Sequence, residues 1–499
     1  MKKKSSADYL TRRNFLGRSA CSTMALTGVI DTLTNLKLMQ SALAQGGGSG
    51  GYKALVVLFL YGGNDSNNML IPRSAHPEYD NYKDNRGILR IVDQSDPLHD
   101  ATAGAPLPLP GTSNQYGVHP NMQPVVDLFS SGDLSFMANV GSLSWPVSRT
   151  DYLDPNKAGL LPPQLYSHSD QQIQWQSSIP DQPFRTGWGG RAADLLASSQ
   201  GGTVSLSVSL AGINSLQVGN QVSQYAVTSN GAIPLSGYGT DYANALNGSS
   251  GYNNNDAGRR LEAFDMITEH AHSHLLEAGY NDVVKNSRTN EGIVNDAVAA
   301  SNEAAIDAEF TAANADSSIA DQLKMVAKLI SGRSALNNDC QIFFCAAGGY
   351  DTHANQISSH GGLMTDLSTS LKAFNESMKE IGDNDKVMLM SHSDFTRTLT
   401  PNGTDVGTSG SDHGWGGHQI VMGGPVDGGK IFGTFPQLIV NGGIDAGTTR
   451  GRWIPSTSVD QYAAVAADWL GVPNVNDIFP NLVRFDDPLA SGSNVNYVL

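Results

Sequence analysis

The fold is decided by residues 54–68, ALVVLFLYGGNDSNN, in which a continuous apolar run ends in a Gly-rich polar turn. The run has the length of a strand, and its lack of alternation indicates burial on both faces. An apolar run followed by Gly or polar residues recurs at 134–141, 341–351, 387–394 and 418–424. Strands of this kind are typical of a parallel sheet that is covered by helices.

Helical patterns separate several of these strands, for instance at 122–130 and 362–381. The sequence therefore predicts an α/β fold with a mostly parallel central sheet flanked by helices. In such sheets the carboxyl ends of the strands carry the ligand sites. Residues 236–256 are rich in Gly, Asn, Ser and Tyr, and residues 258–334 have helical patterns. We therefore expect a loop-plus-helical insertion over residues 236–334.

The first 44 residues have the features of an export signal. A basic start (MKKK) is followed by RRNFLG at 12–17, a weakly apolar stretch and ALA at 42–44. This layout is that of a secretory signal peptide, and the paired arginines before Phe-Leu resemble the twin-arginine signal. An amphipathic N-terminal helix is the alternative. Asp31 and Lys37 interrupt the stretch, so it is not a stable membrane span.

We therefore expect the twin-arginine export machinery as a partner and a periplasmic or extracellular location. Residues 1–44 would be the signal, and residues 45–51, QGGGSGG, a flexible linker. Residues 52–499 would form a single α/β domain. The two cysteines beyond the signal, Cys340 and Cys345, exclude a disulfide framework.

The charge of the chain excludes one large class of partners. Its formal net charge is −16, and residues 45–499 carry 24 basic and 45 acidic groups, which gives −21 without the signal. A nucleic-acid binder needs a positive face to displace counterions from phosphates, so we expect no nucleic acid as a partner. The 39% hydrophobic content is sufficient for a core.

Four polar clusters follow apolar runs: GND at 63–65, YDTH at 350–353, SDFTR at 393–397 and DHG at 412–414. Carboxylates and imidazoles are ligands of divalent metals, and a site needs several of them from separate strand ends. Asp351 and His353 lie on the same face if their segment is extended. Taken singly, each cluster also fits a turn or a helix cap. Together they predict a metal site.

In this order, behind a twin-arginine signal, the clusters resemble the exported bacterial family catalogued as domain of unknown function 1501. The resemblance covers essentially the whole chain after the signal and includes GWGGR at 187–191. That family is similar, remotely, to the alkaline phosphatase and sulfatase superfamily. The resemblance implies one or two divalent metals and a Ser, Thr or formylglycine nucleophile that transfers phosphoryl or sulfuryl groups.

The resemblance also implies the ligands of a divalent metal, which would be zinc, manganese, calcium or magnesium. In the superfamily the carboxylate matched by Asp394 is usually followed directly by His, whereas Phe395 stands here. Asp412-His413 is an alternative Asp-His pair, in which case Asp394 would hold a ligand or Arg397 in place. His168 and His418 are considered only as groups behind the ligands. The predicted ligands are Asp65, Asp351, His353, Asp394, Asp412 and His413.

The superfamily places its nucleophile after the first strand, in a loop that opens a helix. Ser148 and Thr150 are the best candidates there, and Arg149 or Arg397 would contact a tetrahedral oxyanion. Ser66, next to Asp65, is a second candidate. The alternative is that none of these hydroxyls is the nucleophile and that water attacks.

The sequence thus predicts an exported metal-dependent hydrolase that acts on phosphate or sulfate esters, either small or linked to a polymer. The alternative is a catalytically silent secreted protein on the same fold, which binds a partner or a cell surface. Fold does not imply activity, and the Asp-His dipeptide is missing at Asp394.

Overall fold

The stretch quoted above forms the central strand of the sheet. In this computed structural model it is β1 (Lys53–Leu60), which pairs in parallel with β11 (Cys340–Ala347) on one side and β12 (Val387–Ser393) on the other. Every residue of β1 beyond Lys53 is buried. Burial on both faces is the reason for its continuous apolar run.

The structure describes the chain from Gly51 onward, and these residues form one unit. The predicted signal and the predicted linker, except Gly51, lie outside the described residues. The described ranges are 51–197, 201–202, 204–233, 235, 241–247, 251–269, 275–447 and 449–499.

The main sheet has ten strands in the order β16-β5-β15-β12-β1-β11-β6-β7-β8, and β17 also pairs with β5. The further strands are β5 (Leu134–Gly141), β6 (Ser207–Ser209), β7 (Tyr225–Thr228), β8 (Gly231–Ala232), β15 (Gly417–Met422), β16 (Ile431–Gly433) and β17 (Thr457–Ser458). β15 is antiparallel to both of its neighbours and β8 is antiparallel to β7, whereas the other pairs are parallel. The predicted α/β fold with a mostly parallel central sheet is confirmed.

Three small sheets complete the strands. β2 (Leu70–Pro72), β3 (Leu107–Pro108) and β4 (Tyr116–Val118) form one, and β9 (Leu246–Asn247) pairs with β10 (Gly251–Tyr252). The third is a hairpin of β13 (Arg397–Pro401) and β14 (Ser411–His413), in which Arg397 and His413 are partners. This hairpin follows β12 and lies at its carboxyl end.

Helices cover both faces of the sheet. They are α1 (Tyr79–Arg86), α2 (Gln123–Ser130), α3 (Arg149–Leu153), α4 (His168–Ser177), α5 (Trp188–Leu196), α6 (Asp241–Ala245), α7 (Asp256–Glu269), α8 (Leu275–Ala299), α9 (Glu303–Ala312), α10 (Ser318–Ser331), α11 (Arg333–Leu336), α12 (Gln356–Glu380) and α13 (Val459–Leu470). Short 3-10 helices are Gly87–Leu89, Pro155–Leu160, Asn384–Lys386, Val475–Asp477 and Leu482–Arg484. None of the described helices is long and apolar enough to cross a bilayer.

The side chains of β1 alternate between two cores, as a strand buried on both faces requires. Val56 and Leu58 pack in the core that includes α2, α10 and α12. Leu55 and Val57 pack in the core that includes α4, α5 and α13. The predicted helical section contains α7 to α11, and its helix α10 packs on the sheet as part of the first core.

Candidate metal centre

The turn after β1 allows the ends of the three central strands to approach one another closely. Gly62 has a φ of +114°, and a Cβ at this position would lie 2.4 Å from the backbone nitrogen of Asp351. Its N–H donates to Oδ2 of Asp394 at 3.2 Å. Only glycine fits this conformation and this approach. Asp351 and Asp394, which follow β11 and β12, are thereby brought to one edge of the sheet.

Four side chains converge at this edge, and we call them the His–Asp cluster: His168, Asp351, His353 and His413. Nε2 of His168 lies 3.1 Å from Nε2 of His413, and Oδ1 of Asp351 lies 3.4 Å and 3.5 Å from them. These three residues form a group whose ligand atoms could hold a metal ion. Nε2 of His353 lies 2.9 Å from Nε2 of His413 and 3.1 Å from Oδ1 of Asp351.

Hydrogen bonds on the far side of two imidazoles determine which nitrogen faces the cluster. Nδ1 of His168 lies 2.6 Å from Oδ2 of Asp394, and Nδ1 of His413 lies 2.7 Å from the carbonyl oxygen of Tyr166. Both partners accept only, so Nδ1 carries the proton and Nε2 of each neutral ring presents a lone pair. The Nε2 lone pairs of His168 and His413 lie beside the carboxylate of Asp351 and repel one another and that carboxylate unless a cation lies between them. An anchored Nδ1 with a free Nε2 is the usual arrangement of histidines that bind metals.

His353 also has a carboxylate on the far side of its ring, at a longer distance. Its Nδ1 lies 3.4 Å from Oδ1 of Asp412, which is also 3.5 Å from Nδ2 of Asn402. Asp412 therefore lies behind His353, whereas the facing atom is Nε2 of His353. The side chains of Asp351 and His353 are 46% and 43% exposed, so the cluster opens to solvent.

The surroundings of the cluster shift the pKa values of its members in different directions. Burial lowers the pKa of His413, which favours the neutral, ligating imidazole. The hydrogen bond to Asp394 raises the pKa of His168 and favours its protonated form, so a cation at Nε2 would displace a proton from this ring. Burial raises the pKa of Asp351, but the charge and hydrogen bond of Arg397, together with the charges of His353 and His168, bring it below its ordinary value. Imidazole nitrogens with a carboxylate oxygen fit zinc and other first-row divalent metals.

Arg397 is a buried support of the cluster. It is fully buried and donates through NH1 to Oδ1 of Asp351 at 2.7 Å and to the carbonyl oxygen of Gly62 at 3.2 Å. Its NH2 donates to the carbonyl oxygen of Ser411. These bonds hold the carboxylate of Asp351 in position, and they leave the guanidinium out of contact with solvent.

Asp394 obtains its histidine partner from a distant part of the chain. It is fully buried, and Oδ2 also accepts from Nε2 of Gln172 at 2.9 Å. The centroid of the Phe395 ring lies 4.8 Å from the ring centroids of both His168 and His413. The Asp-His contact that is absent in the sequence at 394–395 is thus made in space between Asp394 and His168.

Asp65 has other partners than the cluster. It forms a fully buried ion pair with Arg86, and its Oδ2 accepts from Nε2 of Gln356 at 2.5 Å. Gln356 in turn accepts from Oγ of Ser411 at 2.6 Å. Asp65 is thereby connected to the hairpin that carries Arg397, and its role as a metal ligand stays a prediction.

The three hydroxyls suggested by the sequence lie in other surroundings. Ser148 caps α3, where Oγ lies 2.5 Å from Oδ2 of Asp151, and Thr150 is exposed in the same helix. Ser66 is buried, with Oγ 2.7 Å from Oγ1 of Thr396. Within the described residues, none of the three hydroxyls is hydrogen-bonded to the His–Asp cluster.

Arg149 is also engaged away from the cluster. Its Nε donates to the carbonyl oxygen of Asp445 at 3.0 Å, and its NH2 donates to Oδ1 of Asn441 at 3.1 Å. These two bonds connect α3 to the loop at 441–445.

His168, which the sequence analysis considers only as a group behind the ligands, is one of the three residues whose ligand atoms converge. His168 does not follow a strand-like apolar run. It is the first residue of α4, which follows a long loop. The start of α4 is fixed locally, since Oγ of Ser167 donates to Oδ2 of Asp170 at 2.6 Å and the N–H of Tyr166 donates to Oε1 of Gln171 at 2.7 Å. Tyr166 itself has a φ of +72°. The polar run SHSD at 167–170, at a helix start, was the available signal.

Comparison with known proteins gives two kinds of result. Over 88% of its length the chain matches 77% of the crystal structure of Ps i-CgsB in complex with k-i-k-neocarrahexaose, at 9% identity and a TM-score of 0.31. A second crystal structure of Ps i-CgsB matches over the same shares, at 9% identity and a TM-score of 0.30. Neither match supports a statement about the activity of this chain.

No curated protein matches the sequence. A family model does match, over residues 52–442, and it is described as "Protein of unknown function (DUF1501)". Because this match covers most of the chain, the protein belongs to the DUF1501 family.

Proposed function

We propose that this protein is an exported hydrolase of phosphate or sulfate esters that depends on a divalent metal. The observation that carries the proposal is the convergence of Nε2 of His168, Nε2 of His413 and Oδ1 of Asp351. Both imidazoles have Nδ1 anchored on an oxygen, so the facing atoms are available to a cation. His353 would supply a fourth ligand atom.

The chain's own residues keep this arrangement in place. A divalent ion held by His168, Asp351, His353 and His413 would supply Lewis acidity toward an ester oxygen. Asp394 and the carbonyl of Tyr166 orient the imidazoles of His168 and His413. Arg397 keeps the carboxylate of Asp351 ionised and fixed.

An ester can reach this edge of the sheet from solvent. The side chains of His168 and His413 are 28% and 24% exposed, and those of Asp351 and His353 are more exposed. The base of the cluster is closed by the buried ring of Phe395. A site that is closed by a buried ring on one side and open to solvent on the other can bind an ester group that is attached to a larger molecule.

The test combines metal analysis with assays on aryl phosphate and aryl sulfate. We expect the exported protein to contain stoichiometric metal and to turn over one of the two esters. Asp351→Ala and His413→Ala should lose both metal and turnover, whereas Asp256→Ala, at a side chain that is 97% exposed, should retain both. Wild-type protein that is folded, metal-free and inactive after metal addition would contradict the proposal.

A catalytically silent binding protein is the second candidate. It is favoured by the surroundings of Ser66, Ser148 and Thr150, because none of these hydroxyls is hydrogen-bonded to the cluster within the described residues. For this candidate we expect stoichiometric metal without turnover of either ester. For the hydrolase we expect turnover that survives replacement of Ser148 and Thr150 by Ala, since water would then be the nucleophile.

A further inference from the structure

Two arginines that the sequence analysis did not single out lie next to the cluster. Arg450 and Arg452 flank Gly451, and they contact the consecutive residues Asp412 and His413. The arginines that the sequence suggested for oxyanion binding are engaged elsewhere, because Arg397 is fully buried and Arg149 donates to the 441–445 loop. Arg450 and Arg452 therefore place two cationic groups beside β14, the strand that carries His413.

Arg452 has a fixed guanidinium with free donors. Its Nε donates to the carbonyl oxygen of His413 at 2.8 Å, and the guanidinium carbon lies 4.2 Å from the ring centroid of Tyr166. Neither NH1 nor NH2 of Arg452 makes a hydrogen bond to the described residues. A guanidinium that is held by its Nε and stacked on a ring presents its terminal N–H groups at little entropic cost.

Arg450 is anchored at its backbone, and its guanidinium is partly exposed. Its carbonyl oxygen accepts from the N–H and from Oγ1 of Thr400, both at 3.2 Å. Its side chain is 41% exposed, and NH1 lies 3.1 Å from Oδ2 of Asp412. An ion pair that is this exposed contributes little to stability, so its guanidinium can exchange Asp412 for an arriving anion at low cost.

We propose that Arg450 and Arg452 form a clamp for the tetrahedral oxyanion of the substrate, a phosphate or a sulfate group. The role of the clamp in ester binding rests on the proposed function. The clamp goes beyond that function because it names the residues that recognise the ester. Arginine forks match the paired oxygens of such groups. The clamp also offsets the repulsion that an anion meets from Asp351 and from a chain with a net charge of −21 without the predicted signal.

The test is calorimetric titration of inorganic phosphate, sulfate and acetate into metal-free and zinc-loaded protein. For wild-type protein we expect phosphate or sulfate to bind in both states and more tightly with zinc, and the tighter of the two identifies the ester. Arg450→Gln and Arg452→Gln should each weaken that binding in both states, by roughly 10- to 100-fold. Arg452→Lys keeps the charge without the fork and should fall between Arg452→Gln and wild type.

Arg259→Gln is the matched control, because this arginine lies in α7 with a side chain that is 58% exposed. It should leave anion binding unchanged. Metal content, measured on every variant, separates the two proposals. Arginine-dependent anion binding in a protein that takes up no metal would support the clamp and overturn the metal-dependent hydrolase. Metal uptake with anion binding that is the same in wild type and both Gln variants would overturn the clamp alone, and so would acetate that binds as tightly as phosphate and sulfate.

Discussion

Nδ1 of His168 lies 2.6 Å from Oδ2 of Asp394, although 226 residues separate them in the sequence. This contact turns the imidazole so that Nε2 faces His413 and Asp351. Asp394 thus acts on the cluster through His168. A carboxylate behind a ligating imidazole orients the ring and makes it a more basic ligand.

Asp394→Asn should weaken zinc binding by about 10- to 100-fold, because the amide keeps the hydrogen-bond acceptor but loses the charge that strengthens His168 as a ligand. A competition titration with a chromophoric chelator measures the effect. Gln172→Ala removes a second donor to the same carboxylate and leaves His168 untouched, so it should change zinc affinity much less. Equal losses of zinc affinity in Asp394→Asn and Gln172→Ala would contradict a specific effect of Asp394 on His168.

Asp65→Asn should lower stability and leave the metal content of the folded protein unchanged. Asp65 and Arg86 are both fully buried, and removal of one partner from a buried ion pair costs about 3–5 kcal/mol of unfolding free energy. Arg86→Gln should cost a similar amount. Urea unfolding and metal analysis of the folded fraction measure the two quantities. A folded Asp65→Asn protein that has lost its metal would identify Asp65 as a ligand after all.

Gly62→Ala should disturb the cluster far more than Gly111→Ala. Both glycines have a positive φ, +114° and +77°, but a Cβ at Gly111 meets nothing within 4 Å. The added methyl of Gly62→Ala would lie against the backbone of Asp351. We expect Gly111→Ala to cost about 1–2 kcal/mol of unfolding free energy, which is the conformational strain alone. Gly62→Ala should cost more and should also weaken zinc binding, as urea unfolding and zinc titration will show.

Stability should fall in mild acid because four histidines are buried in their neutral form. Burial lowers the pKa of His119, His360, His392 and His418 to about 3. Below pH 6.5 these histidines bind protons in the unfolded chain but stay neutral in the folded chain. Each histidine therefore removes about 1.4 kcal/mol of unfolding free energy per pH unit between pH 6.5 and pH 3.

His392→Phe tests this pH dependence. His392 packs among the rings of Phe59, Trp175, Trp188 and Tyr462, and neither of its ring nitrogens has a hydrogen-bond partner among the described residues. Urea unfolding of this variant at pH 7.5 and pH 5 should show a smaller loss of stability than wild type, by about 2 kcal/mol. The same loss in both proteins would mean that His392 takes up a proton in the folded state.

Replacement of Arg12 and Arg13 by Lys should retain the protein in the cytoplasm, because paired arginines define the twin-arginine signal. Cell fractionation and the size of the product measure export. Lys2→Gln and Lys3→Gln lie in the same basic segment outside the pair and should allow export. Normal export of the double Lys variant would exclude this route.

The sheet could be predicted because its central strands are buried on both faces. The apolar run at 134–141 coincides with β5, and the run at 387–390 is the first part of β12. β12 continues to Ser393, where the hydroxyls of Ser391 and Ser393 donate to Oε1 of Gln419 and to the carbonyl oxygen of Leu60, and the ring of His392 packs among aromatic rings. α12 begins at Gln356, six residues before the predicted start, because Gly361 and Gly362 lie within the helix and do not break it.

The sequence could predict only those residues of the candidate site that directly follow strands of the main sheet. Asp351 and Asp394 follow neighbours of β1, so their proximity follows from the sheet. His168 arrives on α4 from a loop of irregular structure, and the direction of that loop depends on tertiary contacts such as the one between Tyr166 and His413. A periodicity in the sequence carries no information about such contacts.

The cluster also has a consequence for the order of folding and metal uptake. His168 and His413 are 245 residues apart in the chain, and their meeting requires that the sheet, α4 and the hairpin have already formed. An unfolded chain therefore holds no preassembled site, and a metal ion binds the native state almost exclusively. At a free concentration 100 times its dissociation constant, the ion would add about 2.7 kcal/mol to the free energy of unfolding. With the proposed metal site, metal uptake would follow folding and would stabilise the native state.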